Sequence, residues 1–303
     1  MHVLLIFLDG IGLGAADAEI NPFAAANTPT LNALAGGRRW LADTPRHDNG
    51  RAYFVPTDAC LGVPGRPQSA TGQASMMTGR NVPREIGEHY GPYPNAPIRS
   101  ILAEDNLFMR LRIAGKTAAR LDAYPPPYLA AIERGKRLRT GLGQAAHEGG
   151  VSARTANDLL TGRALSADFT GEGWRSVLGY LDAPLYSPEA SGALMVKLAR
   201  EVNFAMFGTW ITDEIGHRGD LARGVAFIER FDQVMAGVLS AWDDSDGVVI
   251  VCSDHGNFED LSIRQHTLNL VPTVIIGRER AQLADQIHAL TDLTPAILRY
   301  LIG

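Results

Sequence analysis

Four short, continuous apolar runs constrain the fold of this chain more than any other feature. They lie at residues 3–8, 204–207, 247–252 and 271–276. Apolar runs of this length, without alternating polar positions, are typical of strands that are covered on both faces in a parallel sheet. A helical pattern of apolar positions occupies residues 221–242, between the second and third runs. Strands that alternate with long helices predict an α/β fold with a mainly parallel sheet flanked by helices.

The middle of the chain has a different pattern. Residues 86–187 are rich in Gly, Pro and Arg, and they contain short helical segments without comparable apolar runs. We interpret this segment as a small inserted α+β cap domain. Residues 1–85 and 188–303 then form one discontinuous core domain.

The composition excludes several classes of protein. With 46% hydrophobic and 20% charged residues, the 303-residue chain is not disordered, collagenous or a coiled coil. A formal net charge of -5 gives no reason to expect nucleic acid or an anionic membrane as a partner. Cys60 and Cys252 lie in apolar stretches and predict free thiols in a reducing compartment. We therefore expect a cytoplasmic protein.

Acidic and histidine side chains cluster next to the apolar runs. In open α/β sheets, ligands bind beyond the carboxyl ends of the strands. Carboxylate oxygens mixed with imidazole nitrogens suit a divalent transition ion such as Mn²⁺ or Zn²⁺ better than Ca²⁺ or Mg²⁺ alone. Six such ligands are enough for two metal ions. They are Asp9 after the first run, Asp213 and His217 after the second, Asp254 and His255 after the third, and His266 before the fourth.

Each of these residues also has an ordinary structural explanation. A strand-terminal Asp9 is often a turn residue, and a single loop histidine such as His266 is often solvated. Asp213 and His217 have the spacing of one helical face, but surface pairs share that spacing. The pair Asp254-His255 is more specific, because two strong ligands directly after a buried strand are costly unless something binds them.

The candidate nucleophile is Ser69, in the segment Pro67-Gln68-Ser69-Ala70-Thr71-Gly72-Gln73. The helical pattern that follows predicts that the Ser69 hydroxyl lies at a helix N-terminus, where free N–H groups favour a phosphate. The alternative is that Ser69 only caps the helix. A metal bound to the hydroxyl would favour catalysis by lowering its pKa. Thr71 is the reserve nucleophile.

Five segments in chain order resemble a known family. They are Phe7-Leu8-Asp9-Gly10, the Ser69 segment through Thr78-Gly79-Arg80, Thr212-Asp213-Glu214-Ile215-Gly216-His217, Ser253-Asp254-His255-Gly256-Asn257, and Gln265-His266-Thr267. In this order they resemble the alkaline phosphatase superfamily, most of all its branch of cofactor-independent phosphoglycerate mutase and phosphopentomutase. The resemblance covers roughly residues 1–82 and 188–303 and implies an alkaline-phosphatase-like core.

The resemblance also implies roles for the candidate residues. Asp9, Ser69, Asp254 and His255 would surround one divalent ion, and Asp213, His217 and His266 would hold a second. Mn²⁺ is favoured, with Zn²⁺ or Mg²⁺ as alternatives. Ser69 would accept a phosphoryl group from a small phosphomonoester, and the resulting phosphoserine would pass it to another hydroxyl, as in a mutase, or to water, as in a phosphatase.

The chain departs from the mutase pattern at several positions. Gln73 stands where the pattern has a histidine, and Ser187 stands where a lysine is expected. The middle segment is much shorter than the cap of phosphoglycerate mutases and lacks a clear match to their substrate arginines. The metal chemistry is therefore carried over by the resemblance, whereas the substrate and the mutase activity are not.

The middle segment offers its own basic cluster. Arginine side chains suit bidentate recognition of phosphate, although a basic run is usually a solvated surface. We predict that at least one of Arg137 and Arg139 faces the metal cleft. The candidate substrate-binding residues are Arg134, Lys136, Arg137 and Arg139.

Other functions of the same site stay open. A phosphodiesterase or a sulfatase of the same superfamily is the nearest alternative, but the Ser69 segment lacks the Cys/Ser-x-Pro-x-Arg pattern of sulfatases. A metal-binding regulatory protein that has lost catalysis is a second alternative. Such a protein would not need to retain both Ser69 and every candidate ligand.

Overall fold

The computed structural model describes residues 1–303 and contains nine strands and fifteen α-helices. The strands are β1 (His2–Leu8), β2 (His47–Asp48), β3 (Ala52–Thr57), β4 (Ala118–Arg120), β5 (Ala123–Tyr124), β6 (Arg154–Thr155), β7 (Phe204–Thr209), β8 (Gly247–Cys252) and β9 (Val271–Ile276). Seven of them form the central sheet, in the order β2-β3-β9-β8-β1-β7-β4, and β5 pairs with β6 separately.

The helices lie on both faces of the central sheet. They are α1 (Pro22–Ala25), α2 (Pro29–Leu34), α3 (Ser69–Thr78), α4 (Val82–Ile86), α5 (Ala96–Glu104), α6 (Leu107–Ile113), α7 (Pro126–Glu133), α8 (Gly141–Glu148), α9 (Ala156–Leu160), α10 (Glu172–Ser176), α11 (Pro188–Ala199), α12 (Ile211–Arg218), α13 (Leu221–Ala241), α14 (Arg280–Ala284) and α15 (Leu293–Ile302). A 3₁₀ turn at Leu290–Asp292 precedes α15. The α/β fold class is confirmed.

All four apolar runs are central strands, but one of them runs in an unexpected direction. β8, β1, β7 and β4 are parallel, whereas β9 pairs antiparallel with β8. The parallel expectation was wrong for β9 because a parallel return needs a crossover, usually a helix, and residues 253–270 contain none. The start of β9 therefore lies at the same edge of the sheet as the ends of β1, β7 and β8.

Two hydrophobic cores cover the two faces of the sheet. Along β1, Leu4 and Ile6 point into the core formed with α11 and α13, while Leu5 and Phe7 point into the core formed with α3, α5, α6, α8 and α15. Full burial of one such side chain stabilises the fold by about 1.5–3 kcal/mol. Because β1 is buried on both faces, it fixes the position of Asp9 at its end.

The segment 86–187 is joined closely to the rest of the fold. Its strand β4 is an edge strand of the central sheet, beside β7, and its helices α5, α6 and α8 belong to the same core as α3. A separate small core lies further along the segment, around Leu159 and Trp174. The division into a catalytic core and an inserted domain stays a prediction.

The helices give no sign of a membrane segment. None of them combines the length and the apolar character needed to cross a bilayer.

Candidate metal centre

The seven predicted metal-site residues converge at one edge of the central sheet. Asp9 follows β1, α12 follows β7, and Asp254 and His255 follow β8. His266 precedes β9, which reaches this edge because it is antiparallel. Ser69 is the first residue of α3, which packs on the same side of the sheet. Residues from five separate segments thus form one cluster.

One half of the cluster surrounds His255. Its Nε2 atom lies 3.0 Å from Ser69 Oγ, 3.3 Å from Asp9 Oδ1 and 3.7 Å from Asp254 Oδ1. Asp254 and His255 are fully buried, and Asp9 and Ser69 are nearly so. The other three side chains that the family resemblance assigns to the same ion therefore all lie beside His255.

The other half of the cluster surrounds Asp213. One helical turn of α12 brings His217 Nε2 to 3.4 Å from Asp213 Oδ2, and His266 Nε2 lies 3.6 Å from Asp213 Oδ1. The Nδ1 atoms of both histidines contact backbone carbonyl oxygens, of Arg264 at 2.9 Å and of Pro67 at 2.7 Å. Such contacts leave both Nε2 atoms directed toward Asp213 and toward each other, 3.3 Å apart, where they could share one ligand.

The two halves share Asp213. Asp213 groups with His217 and His266 on one side and with Asp9 and His255 on the other, with ligand atoms in each group within 4.8 Å of one another. Asp213 is thus the carboxylate that two neighbouring cations could share.

Burial and charge shift the pKa values of this cluster. Burial and the charge of Asp254 raise the pKa of Asp9 well above its usual range. Burial disfavours the charged form of His255, but the charge of Asp254 and the contact with Asp9 outweigh it and raise the pKa of His255 to about 10. Burial alone would raise the pKa of Asp213, yet the contact with the His217 imidazole holds it well below its usual range. Without metal, the cluster therefore retains protons that a cation would displace.

The residues present fit divalent metal ions. The buried carboxylates Asp9 and Asp254 form no ion pair with arginine or lysine, and Asp9 Oδ1 is buried without a hydrogen bond. His255 is the one cationic side chain beside these two acids. Two neighbouring buried carboxylates are costly when both are charged, and a bound divalent cation lowers that cost. The mixed oxygen and nitrogen donors suit a divalent transition ion.

Ser69 does not act as the cap of α3. The N-cap residue is Gln68, whose side chain makes no capping hydrogen bond. The Ser69 hydroxyl contacts His255 instead, and the backbone N–H groups of Ser69 and Ala70 make no hydrogen bond. The start of α3 therefore presents a hydroxyl and two free N–H groups next to the metal cluster, an arrangement that favours an arriving anion.

The reserve nucleophile Thr71 is engaged elsewhere. Its hydroxyl lies within hydrogen-bond distance of the carbonyl oxygens of Gln68 and Tyr90, at 3.1 and 3.3 Å, and it accepts a hydrogen bond from the Tyr90 N–H at 3.2 Å. Thr71 thus connects α3 to the segment that covers its N-terminus.

The sequence did not reveal that two side-chain amides donate hydrogen bonds to the acids. Gln73 donates to Asp254 Oδ2 at 3.1 Å and to Asp9 Oδ2 at 3.4 Å. Asn257 donates to Asp213 Oδ1 at 2.7 Å. Gln73 follows Ser69 by four residues, so the helical spacing itself could have placed it beside the site.

Glu259 was also missed, although it joins three segments of the site. This buried carboxylate accepts hydrogen bonds from the N–H groups of Gly12 and Asn257, from the Thr267 hydroxyl and from the Asn269 amide. Gly12 lies just after Asp9, Asn257 lies just after His255, and Thr267 and Asn269 lie just after His266. Glu259 therefore fixes the segments that present the candidate ligands.

A glycine is required at the end of β1. Gly10 has a φ of +73°, and a Cβ atom there would lie 2.9 Å from Asp213 Oδ1. A larger residue would strain the backbone and push Asp213 away from the other acids.

Removing the Gln73 amide is expected to weaken the site without unfolding the protein. Gln73→Ala leaves two buried carboxylates without their shared donor, so Mn²⁺ affinity and turnover should each fall about ten- to a hundred-fold. Calorimetric titration and steady-state kinetics measure the two effects. The matched control is Gln144→Ala on α8, a buried glutamine that bonds Glu148 and not the site acids. Equal behaviour of the two variants would contradict the bridging role.

The four residues of the predicted basic cluster have different surroundings in the structure. Arg134 and Lys136 are exposed and form no ion pair or hydrogen bond through their side chains. Arg137 lies over the Tyr128 ring, 4.8 Å from its centroid, and donates to Tyr93 Oη at 3.2 Å. Arg139 lines a cavity. A substrate contact at any of the four stays a prediction.

Comparison with families and curated proteins identifies related sequences. Residues 190–302 match the model of the metalloenzyme superfamily. The 2,3-bisphosphoglycerate-independent phosphoglycerate mutase of Thiobacillus denitrificans is 38% identical over 94 residues, and that of Coxiella burnetii is 34% identical over 98 residues. These matches cover 29% and 30% of this chain and 18% of each relative, so the shared segment is a small part of longer enzymes.

Comparison with solved structures supports the fold over nearly the whole chain. A protein of Pyrococcus horikoshii has a TM-score of 0.60 at 16% identity, covering 99% of this chain and 96% of that one. The alkaline phosphatase of the Antarctic bacterium TAB5 has a TM-score of 0.54 at 14% identity, covering 99% and 97%. These likenesses show the fold, and the sequence matches agree with the resemblance that the ordered segments indicated.

Proposed function

We propose that this chain, a member of the alkaline phosphatase superfamily near the cofactor-independent phosphoglycerate mutases, transfers the phosphoryl group of a small phosphomonoester through a phosphoserine at Ser69. The superfamily match and the mutase relatives support metal-dependent phosphoryl transfer in general, and the particular reaction is our inference. The observation on which it rests is the position of Ser69 Oγ, at a helix N-terminus and 3.0 Å from His255 in a cluster of buried acids.

Two groups of side chains would hold the two metal ions. Asp9, Asp254 and His255 would hold one ion beside Ser69, and Asp213, His217 and His266 would hold the other, with Mn²⁺ favoured over Zn²⁺ or Mg²⁺. Bound there, the two ions would lower the pKa of the attacking hydroxyl and neutralise charge on the phosphoryl group.

Ser69 forms the new bond to phosphorus. Its Oγ attacks in line with the leaving oxygen, the Oγ–P bond forms as the ester P–O bond breaks, and the hydroxyl proton of Ser69 ends on the departing alcohol. The free N–H groups of Ser69 and Ala70 are positioned to bind a phosphoryl oxygen. A second acceptor then takes the phosphoryl group from Ser69 and restores the serine.

The identity of that acceptor decides between two reactions. A second hydroxyl of the same substrate would make the enzyme a mutase, and water would make it a phosphatase. Exclusion of water by the segment 86–187 would favour the first outcome.

Rapid quenching of the Mn²⁺-loaded protein with phosphosugars, phosphoglycerates and nucleotides tests the proposal. We expect mass spectrometry to find one phosphoryl group on the Ser69 peptide, and product analysis to separate isomer from free phosphate. Turnover without a phosphorylated Ser69 would overturn the covalent route. Preference for sulfate esters or phosphodiesters would favour the alternative enzymes of the superfamily, and metal binding without any turnover would favour a regulatory protein.

A further inference from the structure

A cavity of about 290 Å³ lies beside the metal centre and has no role in the proposed chemistry. We call it the tyrosine cavity. The residues that define it here are Arg120, Tyr124, Tyr128, Leu129, Ile132 and Arg139. Its volume is near the lower end of small-molecule sites, which are typically about 300–1,000 Å³.

One wall of the tyrosine cavity is helix α7, whose apolar side chains are not buried in a hydrophobic core. Helix α7 has the sequence Pro-Pro-Tyr-Leu-Ala-Ala-Ile-Glu, yet none of its residues is buried. Leu129 and Ile132 line the cavity together with Val151, and both remain partly exposed. Apolar side chains that stay accessible around a concave surface are typical of a ligand site.

A second wall is a rigid pair of aromatic rings. Tyr124 and Tyr128 are stacked, with ring centroids 4.8 Å apart. Arg120 lies beneath them, 5.3 Å from the Tyr124 centroid, and its Nη2 lies 2.7 Å from Tyr124 Oη. Arg120 is buried and forms an ion pair with the buried Asp122, so its charge is already compensated. Arg120 therefore fixes the rings and leaves a planar surface.

Arg139 supplies the free charge of the cavity. Its side chain is partly buried and forms no ion pair or hydrogen bond, in contrast to Arg137, which contacts Tyr93 and Tyr128. A partly desolvated guanidinium without a partner favours a carboxylate or phosphate. The one lining carboxylate, Glu133, is exposed and lies more than 4.0 Å from the Arg139 nitrogens, since the two form no ion pair.

The first turn of α8 separates the cavity from the metal centre. On the cavity side, a Cβ atom at Gly143 would lie 3.3 Å from Arg120 Nη1 and 3.6 Å from Arg139 Cβ. On the other side, the Leu142 N–H donates to Gln73 Oε1 at 3.3 Å, and Gln73 contacts Asp9 and Asp254. The cavity and the cluster of acids thus lie on opposite sides of the first turn of α8.

We propose that the tyrosine cavity binds an anion carried on an apolar or aromatic body, with the body against Tyr124, Tyr128 and Ile132 and the anionic group at Arg139. The further claim that this anion is the part of the substrate that is not transferred rests on the proposed function. The claim that the cavity binds an aromatic anion is independent of the proposed function.

Titration with benzoate, followed by protein NMR, tests the binding directly. We expect saturable binding of benzoate and at least about five-fold weaker binding of benzyl alcohol, which lacks the charge. Arg139→Ala should weaken benzoate binding about ten-fold and leave benzyl alcohol binding unchanged. The matched control is Arg38→Ala, since Arg38 is exposed and its side chain forms no ion pair or hydrogen bond. Equal binding of the two probes, or equal benzoate affinity in the two variants, would overturn the proposal.

The same variants separate this inference from the proposed function. Ser69→Ala should bind benzoate as the unmodified protein does, because the cavity does not include Ser69. On a substrate that phosphorylates Ser69, Arg139→Ala should raise KM about ten-fold with little change in kcat. Benzoate binding that depends on Arg139 without this rise in KM would refute the substrate assignment and leave the phosphoserine unaffected. A phosphoserine without benzoate binding would refute the cavity proposal alone.

Discussion

Ser69→Ala is expected to lower turnover by about four orders of magnitude or more, because the proposed reaction then has no covalent acceptor. The fold should be retained. The only side-chain contact that the Ser69 hydroxyl makes is with His255, so its loss should cost about 1 kcal/mol of the free energy of unfolding. Steady-state kinetics measure the first effect, and denaturant unfolding measures the second.

Ser75→Ala is the matched control for this prediction. Ser75 lies on the same helix, and its buried hydroxyl bonds the Thr71 carbonyl and accepts from the Val82 N–H, away from the acids. We expect Ser75→Ala to lower stability and to leave kcat within about two-fold, since it removes only structural hydrogen bonds. If Ser69→Ala also keeps near-normal turnover, the nucleophile is Thr71 or a water molecule.

The edge of the sheet where the candidate ligands meet could be predicted from the sequence for a physical reason. A strand buried on both faces must be apolar along its length, so the first polar residue after it marks the edge of the sheet. Asp9 follows β1 directly, Asp254 follows β8 after Ser253, and one turn of helix determines the spacing of Asp213 and His217. These relations are local in sequence, and the resemblance to a known family added the order of the segments.

Features that depend on pairing between distant residues could not be predicted in the same way. The sequence indicates a strand around Lys116 and Arg120, and β4 lies there, at Ala118–Arg120. Its pairing with the edge of β7 could not be predicted from these residues alone. The direction of β9 depends on the absence of a crossover helix, which no single residue encodes. The roles of Gln73 and Glu259 follow from the meeting of separate segments and are visible only in the folded chain.

One wall of the tyrosine cavity is visible in the sequence as an alternating pattern of polar side chains. Arg120, Asp122 and Tyr124 alternate along one extended segment, so their side chains share one face. The sequence indicates a strand at Arg120 and a rigid segment at Tyr124 and the prolines after it, but not that these residues line one cavity with Arg139. Only one residue of that run, Arg139, lines the cavity.

Asp213→Asn is expected to remove at least one metal ion and to lower turnover by about three orders of magnitude. The substitution keeps the shape of the side chain and removes its charge. Asp213 belongs to both candidate ligand groups, and His217 and His266 alone would leave the second ion with two neutral donors. Elemental analysis of the Mn²⁺-loaded protein should find two ions per chain before the substitution and one or none after it.

Glu214→Gln provides the control for Asp213→Asn because it removes the adjacent charge on the same helix. Glu214 pairs with Arg218 and Arg223 outside the cluster, so its loss should change stability by less than about 1 kcal/mol and leave the metal content at two. Retention of two ions in Asp213→Asn would show that the two groups do not share this carboxylate. Loss of metal in both variants would instead point to a general effect of negative charge on α12. Loss in Asp213→Asn alone, together with the loss of turnover, is the result that the shared position of Asp213 requires.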